Sequence, residues 1–341
     1  MLEHTKADII LSIIVPVYNT EKYLSECLNS IVAELDDSIE VLVIDDGSKD
    51  KSYEIAQKFS DDRVRVLHQS NKGVSYTRNI GIQESTGQYI MFVDSDDKLI
   101  KGWSKTIKRA INKGADIVYI SPNLKDKTPK CKQLLDSITN IDSSLGMLSG
   151  PCSRIFRRNM IWENQITFNL RIIVGEDLLF NLQALFAAQT YDFMSDSIYL
   201  YRIHPESATH KFNGKFFESN LLFLRKLKEI LEGAHQLSLQ ESERYIAFSF
   251  WNSISPWCHT VLESNLSLCK KKKYLQKLFD PRMQKYAEKY RDFNYPFPLN
   301  TRVFIQFYKL HMVNLLILIW YIYHWIKPEK HHDIEMEWRT I

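Results

Sequence analysis

The chain has 341 residues, of which 45% are hydrophobic and 25% are charged, as in an ordinary globular protein. This composition excludes a disordered or fibrous chain, and a formal net charge of +3 gives no reason to expect a nucleic-acid partner. The cysteines are scattered and odd in number, which favours reduced thiols over a disulfide framework or a zinc site. The N-terminus lacks a basic segment with a cleavage site, so we expect a cytoplasmic protein.

Short apolar runs alternate with helical patterns over about the first hundred residues. Strands are predicted at Ile9–Val15, Ile39–Ile44, Val64–Leu67 and Tyr89–Val93. Helices are predicted between them at Thr20–Leu35, Ser52–Phe59 and Ser75–Ile82. This order predicts an α/β fold in which a mostly parallel sheet carries helices on both faces.

The mixed pattern continues to about residue 210 and is then replaced by helical spacing alone. The predicted mixed elements are a helix at Gly102–Lys113, a strand at Asp116–Ile120, a polar loop at Lys125–Lys132, a helix at Val174–Gln189 and a strand at Ile198–Tyr201. The later helices are predicted at Phe217–Leu231, Glu241–Trp257 and Leu266–Tyr290. We therefore expect an α/β domain at 1–213, a helical region at 214–300 and a hydrophobic tail at 301–341.

Polar clusters follow three of the predicted strands. They are Pro16-Val17-Tyr18-Asn19, Asp45-Asp46-Gly47-Ser48 and Asp94-Ser95-Asp96-Asp97. Ligands of an open parallel sheet bind beyond the carboxyl ends of its strands, so the three clusters predict a single site.

The third cluster places three carboxylates within four residues. Such crowding needs a compensating cation, and carboxylate oxygens suit Mg²⁺ or Mn²⁺ whose remaining ligands come from substrate phosphates. A helix cap or an Asx-turn is the alternative, and it explains one of the three acids better than all of them.

Four ordered motifs resemble the signature of family 2 glycosyltransferases. They are SIIVPVYN, VLVIDDGSKDKS, NKGVSYTRN and YIMFVDSDD, and the resemblance is strong over about residues 10–100 and weaker to about 210. That family consists of inverting enzymes of GT-A fold that use nucleotide-diphospho-sugars. The resemblance therefore implies a GT-A fold, a UDP-sugar donor and a divalent cation.

The resemblance also assigns residues to the nucleotide. Pro16 and Tyr18, with Asn19 beside them, would line a uracil pocket, and Asp46 would hydrogen-bond the base. Asp45 would shape the turn or lie near the ribose. The alternatives are a packed aromatic at Tyr18 and a simple turn former at Asp45.

The ribose and diphosphate side of the donor is assigned in the same way, to Lys72, Gly73, Arg78, Asp94 and Ser95. Arg78 is the cation best suited to phosphate oxygens, although a surface charge on a helix is the alternative. The resemblance places the metal on Asp96 together with Asp94.

Inverting transfer needs a base within hydrogen-bond reach of the acceptor hydroxyl. Gly175-Glu176-Asp177 precedes an apolar helix, where the helix dipole stabilises a charged carboxylate. The resemblance implies that Asp177 is this base, with Glu176 as the second candidate, and an ordinary helix cap is the alternative.

The segment Tyr201–His210 resembles the loop that closes over the donor phosphates in this family. Arg202, His204 or His210 would then contact diphosphate or metal, and an exposed loop position is the alternative for each of them.

The segment Val303–Ile326 is the most hydrophobic part of the chain, but its apolar core is shorter than the roughly 20 residues of a spanning helix. Its aromatic residues and nearby lysines predict a helix lying on the inner membrane surface. A buried helix, a homodimer contact and a single span are the alternatives.

These expectations predict transfer of a sugar from a UDP-sugar to an acceptor hydroxyl, with a lipid-linked oligosaccharide of cell-surface polysaccharide synthesis as the acceptor. A nucleotidyltransferase is one alternative, but it would carry a glycine-rich phosphate loop where this chain has VPVYNTEKY. The other is a regulatory protein that binds a nucleotide-sugar without turning it over.

Overall fold

The computed structural model describes residues 8–124, 128–145, 150–152, 154–204, 213–293, 295, 297, 299–309, 315 and 337–340. The chain divides into two compact units. The first comprises Met1–Leu170, Glu176–Arg202 and Glu337–Ile341, and the second comprises Arg171–Gly175 and Ile203–Met336. The predicted domain limits at 213 and 300 stay predictions.

The first unit is built around strands. Their bounds are β1 Leu11–Val17, β2 Ile39–Asp45, β3 Val64–His68, β4 Tyr89–Phe92, β5 Lys98–Leu99, β6 Ile117–Ile120, β7 Arg154–Arg157, β8 Tyr191–Met194, β9 Tyr199–Ile203 and β10 Glu337–Thr340. Seven of them form a sheet in the order β3-β2-β1-β4-β7-β6-β8, and β10-β9-β5 form a second, small sheet.

The centre of the large sheet is parallel. β1 pairs in parallel with β2 and β4, and β2 pairs in parallel with β3. All residues of β1 and β2 are buried, which explains why their sequences are nearly continuous apolar runs. The predicted mostly parallel sheet with helices on both faces is confirmed. One strand that the sequence did not predict, β7, runs antiparallel between β4 and β6.

Seven helices are described in the first unit. Their bounds are α1 Leu24–Val32, α2 Ser52–Gln57, α3 Val74–Glu84, α4 Trp103–Ile111, α5 Cys131–Ile138, α6 Arg158–Glu163 and α7 Glu176–Ala187. The prediction of a polar loop at Lys125–Lys132 is wrong at its C-terminal end, because α5 begins at Cys131. Leu134, Leu135 and Ile138 give α5 a buried stripe that outweighs its lysines.

The described part of the second unit is helical. Its helices are α8 Phe216–Gly233, α9 Leu239–Glu263, α10 Leu268–Gln276, α11 Pro281–Lys289 and α12 Leu299–Lys309. The single helix predicted at Leu266–Tyr290 is wrong, because a 3₁₀ turn at Lys277–Phe279 separates α10 from α11. Asp280 then caps α11 by accepting from the backbone N–H of Arg282, and Pro281 occupies the first turn, where proline is tolerated.

Most of the hydrophobic tail lies outside the described residues. The helix predicted at Val303–Ile326 is described only to Lys309 and at residue 315, so its contact with a membrane stays a prediction. Among the residues that are described, no helix is long and apolar enough to cross a membrane.

Candidate active site

The loops that follow β1 and β2 are joined by hydrogen bonds. Asn19 accepts from the backbone N–H of Lys49 through Oδ1 (2.7 Å), and its own N–H donates to Ser48 Oγ (3.0 Å). The N–H of Thr20 donates to Ser52 Oγ (2.8 Å). Two of the three predicted polar clusters therefore form one structural unit.

Asp45 organises the turn after β2 and is fully buried. Its Oδ2 accepts from the backbone N–H groups of Gly47 and Ser48 (3.2 Å each) and lies 2.8 Å from His68 Nδ1. Gly47 has φ +72°, and a Cβ there would lie 2.8 Å from the backbone nitrogen of Asn71, so glycine is required. These contacts agree with the expectation that Asp45 shapes the turn.

Asp46 ties the same turn to the start of α3. Its Oδ1 accepts from Gln69 Nε2 and from the backbone N–H of Lys72 (2.8 Å each), and its Oδ2 accepts from the N–H of Gly73 (2.7 Å). The Lys72 ammonium lies 4.4 Å from the centre of the Tyr76 ring. The structure therefore brings together Asp46, Lys72 and Gly73, three of the predicted donor contacts.

Tyr18 and Pro16 differ in exposure although they are close in sequence. Pro16 is buried within β1, whereas 46% of Tyr18 is exposed just beyond the end of that strand. A half-exposed ring at the carboxyl end of a central strand offers a face on which a planar base can stack. The packed-aromatic alternative fits this exposure less well.

The turn after β4 is held from β9 and from the loop after β1. The Tyr199 hydroxyl donates to Asp97 Oδ2 (2.6 Å) and accepts from the N–H of Asp94 (3.1 Å). Ser95 Oγ accepts from the Thr20 hydroxyl (3.0 Å). Tyr199 was not predicted from the sequence, because a tyrosine in a short strand belongs to no motif that marks it.

The acids of this turn crowd one another. Burial raises the pKa of Asp97 to about 8, and the charges of Asp94 and Asp96 add to the increase. Asp97 is buried and Asp96 half-buried, and 32% of the Asp94 side chain is exposed. Repulsion among neighbouring acids is the electrostatic condition that a divalent cation relieves.

The carboxylates of this turn suit a cation that takes some of its ligands from the protein and the others from a substrate. Within the described ranges, no group of three or more His, Cys, Asp and Glu residues is arranged to hold a metal ion. The partly exposed carboxylates of Asp94 and Asp96 are hard oxygen ligands, and Mg²⁺ is commonly held by one or two carboxylates together with substrate phosphates.

Arg78 joins the turn after β4 to the start of α7. Its Nη1 donates to Asp177 Oδ1 (2.7 Å) and its Nη2 donates to Asp94 Oδ1 (2.9 Å). Only 5% of the Arg78 side chain is exposed, and the guanidinium lies 5.3 Å from the centre of the Phe168 ring. Arg78 was predicted to contact the donor phosphates, whereas in this structure its guanidinium bridges two acids.

Aromatic packing fixes α7 against β4. Phe180 of α7 meets Phe92 of β4 edge-on at 5.8 Å and stacks on Phe168 at 4.1 Å. Asn79 holds the backbone of Phe168 by donating to its carbonyl and accepting from its N–H, both at 2.8 Å. This packing keeps the Asp177 carboxylate within reach of Arg78.

Burial raises the pKa of both candidate bases. Burial raises the pKa of Glu176 to about 8, and the charge of Asp177 adds to the increase, so Glu176 is mainly protonated at neutral pH. Burial also raises the pKa of Asp177, but the positive charge of Arg78 opposes it. Because Arg78 stabilises the charged form of Asp177, that residue is the better placed of the two to accept a proton.

The predicted diphosphate loop is described in part. Arg202 is buried, and its Nε donates to the carbonyl of Asp96 (2.7 Å). His204 is buried in the second unit, and His210 lies outside the described residues. The contacts of these three residues with diphosphate or metal stay predictions.

In comparison with known proteins, residues 12–163 match the family described as "Glycosyl transferase family 2". This segment is therefore similar to the domains of that family. The uncharacterized glycosyltransferase EpsJ of Bacillus subtilis (strain 168) is 31% identical over 216 residues, which cover 59% of this chain and 63% of EpsJ. The poly(ribitol-phosphate) beta-N-acetylglucosaminyltransferase TarS of Staphylococcus aureus (strain MW2) is 29% identical over 261 residues, which cover 72% of this chain and 45% of TarS. The alignments therefore span less than two thirds of either relative.

A solved structure supports the fold. The crystal structure of S. aureus TarS 1-349 in complex with UDP matches this chain with a TM-score of 0.63 and 20% sequence identity. The match covers 98% of this chain and 97% of that one. The predicted GT-A fold with a helical C-terminal region is confirmed.

Proposed function

We propose that this protein is an inverting glycosyltransferase that moves a sugar from a UDP-sugar to an acceptor hydroxyl. The observation that carries the proposal is the bridge that Arg78 forms between Asp94 and Asp177 (2.9 and 2.7 Å). Inverting transfer requires a donor site and a base on the opposite face of the anomeric carbon, both within reach of one sugar. Arg78 contacts both Asp94 of the proposed donor site and Asp177, the proposed base, which supports placing the two acids within reach of one sugar.

Asp177 is the proposed base. It takes the proton of the acceptor hydroxyl while that oxygen attacks the anomeric carbon, and the bond from that carbon to the UDP oxygen breaks in the same step. The charge of Arg78 favours the ionised form that this role needs. Glu176, with its pKa raised to about 8, is proposed to stay protonated and to donate a hydrogen bond.

The nucleotide is proposed to bind at the ends of β1 and β2. The exposed ring of Tyr18 stacks on uracil, with Pro16 and Asn19 beside it. Asp46 selects the base and, through its hydrogen bonds to the N–H groups of Lys72 and Gly73, sets the start of α3 beside the ribose and diphosphate. Asp45 shapes the turn that carries Asp46.

Asp94 and Asp96 are proposed to hold Mn²⁺ or Mg²⁺. When bound there, such an ion neutralises negative charge on the departing UDP. Ser95 and Tyr199 keep the backbone of this turn in place.

The relatives support a choice of donor. The name of TarS states that it transfers N-acetylglucosamine to poly(ribitol-phosphate), and TarS has been solved with UDP and with UDP-GlcNAc. We therefore place UDP-N-acetylhexosamines and UDP-hexoses first among the donors to be tested. The proposed acceptor is a lipid-linked oligosaccharide of cell-surface polysaccharide synthesis, met at the inner membrane surface, where the protein acts as a monomer or a homodimer.

Donor hydrolysis tests the proposal without a known acceptor. Purified protein is incubated with Mn²⁺ and each UDP-sugar in turn, and released UDP is measured. Asp177→Asn is expected to slow release by about 10²–10⁴-fold, the usual contribution of a general base. Glu54→Gln, which changes an exposed acid on α2, is the matched control and should leave the rate unchanged.

Proton NMR then identifies the anomer that forms first. With an α-linked donor and water as the acceptor, inversion gives the β anomer. UDP release that is equal in Asp177→Asn and the wild type, or release of the α anomer first, would contradict the proposed mechanism.

A further inference from the structure

The C-terminal strand β10 brings a tryptophan to the turn that follows β4. β10 pairs with β9 in the small sheet, and Trp338 of β10 lies over Arg202 of β9 with 4.0 Å between the guanidinium carbon and the ring centre. No role was predicted for Trp338 from the sequence, because one tryptophan in a short polar segment forms no pattern.

Arg202 connects this tryptophan to the acids of the turn. Its backbone N–H donates to Asp97 Oδ1 (2.8 Å), and its Nε donates to the carbonyl of Asp96 (2.7 Å). Two neighbouring residues of the turn are therefore held by one arginine that lies far from them in sequence.

The guanidinium of Arg202 lies close to two aromatic rings. Its carbon is 4.7 Å from the centre of the Tyr23 ring and 4.0 Å from the centre of the Trp338 ring. A planar guanidinium gains from such contacts with aromatic rings, and it loses them if it rotates away from Asp96.

A second cation shares the indole. The Lys98 ammonium lies 4.2 Å from the centre of the Trp338 ring and donates to Glu26 Oε1 (2.7 Å). Arg202 donates to the other oxygen of Glu26. The Trp338 indole therefore contacts both cations that bind the Glu26 carboxylate, which further restricts the Arg202 guanidinium.

We propose that Trp338 is a positioning residue that holds the backbone of the turn Asp94–Asp97 through Arg202. The inference rests on the proposed function in one respect, namely that this turn binds a nucleoside diphosphate with its cation. The order of the turn itself is a property of the unliganded protein and is measured independently.

Amide hydrogen exchange measures that order. The N–H of Asp94 donates to Tyr199 and the N–H of Asp97 donates to the carbonyl of Asp94, so both amides report on the turn. In the unliganded protein, Trp338→Leu is expected to speed their exchange by about tenfold, the factor that corresponds to loss of one desolvated cation–π contact. Trp338→Phe keeps an aromatic face and should stay within about threefold of the wild type.

The exchange of β1 and β2 amides serves as an internal reference. A general loss of stability would speed exchange at these strands too, so the compared quantity is the rate of the turn relative to the rate of the strands. Trp162→Leu, which removes a tryptophan that is 49% exposed on α6, is the control and should leave this ratio unchanged.

A double-mutant cycle tests whether the effect passes through Arg202. Arg202→Lys removes the planar group that stacks on the indole. If Trp338 acts through Arg202, then Trp338→Leu adds nothing to the exchange ratio of Arg202→Lys. Additive effects of the two substitutions, or an unchanged ratio in Trp338→Leu, would overturn the inference.

Nucleotide binding gives the functional consequence. By isothermal titration calorimetry, Trp338→Leu is expected to weaken UDP binding about tenfold in Mn²⁺ and to leave it unchanged in EDTA. Equal weakening in both conditions would contradict a role at the acidic turn. A wild-type protein that binds no UDP would refute the proposed function, while the exchange ratio would still decide the role of Trp338.

Discussion

The turn after β2 and the turn after β4 both carry neighbouring aspartates, but their carboxylates meet different partners. Asp45 and Asp46 accept from the backbone N–H groups of their own and the next loop. Asp94 instead meets the guanidinium of Arg78, and its neighbour Asp97 has its pKa raised to about 8 by burial and by the charges of Asp94 and Asp96.

Aspartate therefore has a different use in each of the two turns. A carboxylate that accepts from several amides is already stabilised and defines the shape of its loop. Carboxylates that crowd one another repel, and that repulsion favours the binding of a cation. Substitutions in the first turn should therefore change stability and nucleotide binding, and substitutions in the second should change turnover.

Among substitutions that compare the two turns, the largest effect is expected for Asp96→Asn. An amide keeps the size of the side chain but removes the charge that the cation requires, so UDP release in Mn²⁺ should fall by about 10³-fold. The unfolding temperature should stay within a few degrees of the wild type, since the substitution relieves repulsion among the acids. Release that persists at the wild-type rate would remove Asp96 from the metal site.

Arg78→Gln is expected to lower turnover by about 10²-fold, because it removes the group that positions Asp177. It should also move the acid limb of the pH–rate profile to higher pH. The charge of Arg78 lowers the pKa of Asp177, so its removal raises that pKa and leaves the base protonated over a wider range of pH. Arg63→Gln, which changes an exposed arginine of the same unit, is the control, and an acid limb that does not move would contradict the coupling.

The sequence predicted the strands and the acidic clusters that follow them, because both depend on local pattern. The apolar runs of β1 and β2 are continuous because both faces of these strands are covered, and the polar clusters follow from the strand ends. The acids of both turns could therefore be named before their geometry was known.

The pairing of these acids could not be predicted in the same way. Arg78 and Asp177 are 99 residues apart, and their contact depends on the packing of Phe180 against Phe92. The antiparallel strand β7 was missed because its sequence RIFR has an arginine at each end and lacks the apolar run of the equally short β4 and β6. Tyr199 and Trp338 act through contacts with residues distant in sequence, which leave no pattern.

Asp45→Asn should destabilise the protein by about 2 kcal/mol, since a neutral acceptor forms weaker hydrogen bonds to two backbone N–H groups and His68. Urea unfolding measures the change. Asp142→Asn is the matched control, because Asp142 accepts from the N–H of Ser144 in a similar but exposed turn. Its expected cost is below about 0.5 kcal/mol. Equal costs at the two sites would show that burial of the first turn does not strengthen its hydrogen bonds.

The smallest effect is expected for Asp46→Asn, and it should appear in binding. One carboxylate oxygen of Asp46 accepts hydrogen bonds from Gln69 and Lys72, and the other accepts one from Gly73. In Asp46→Asn an NH₂ group replaces one of these oxygens, so an N–H group at the start of α3 faces another donor. The Kd of UDP should rise about tenfold, while kcat for donor hydrolysis stays within about twofold, because the contact is equally present before and during reaction. A fall in kcat with unchanged binding would place Asp46 among the reacting groups and end the distinction between the two turns.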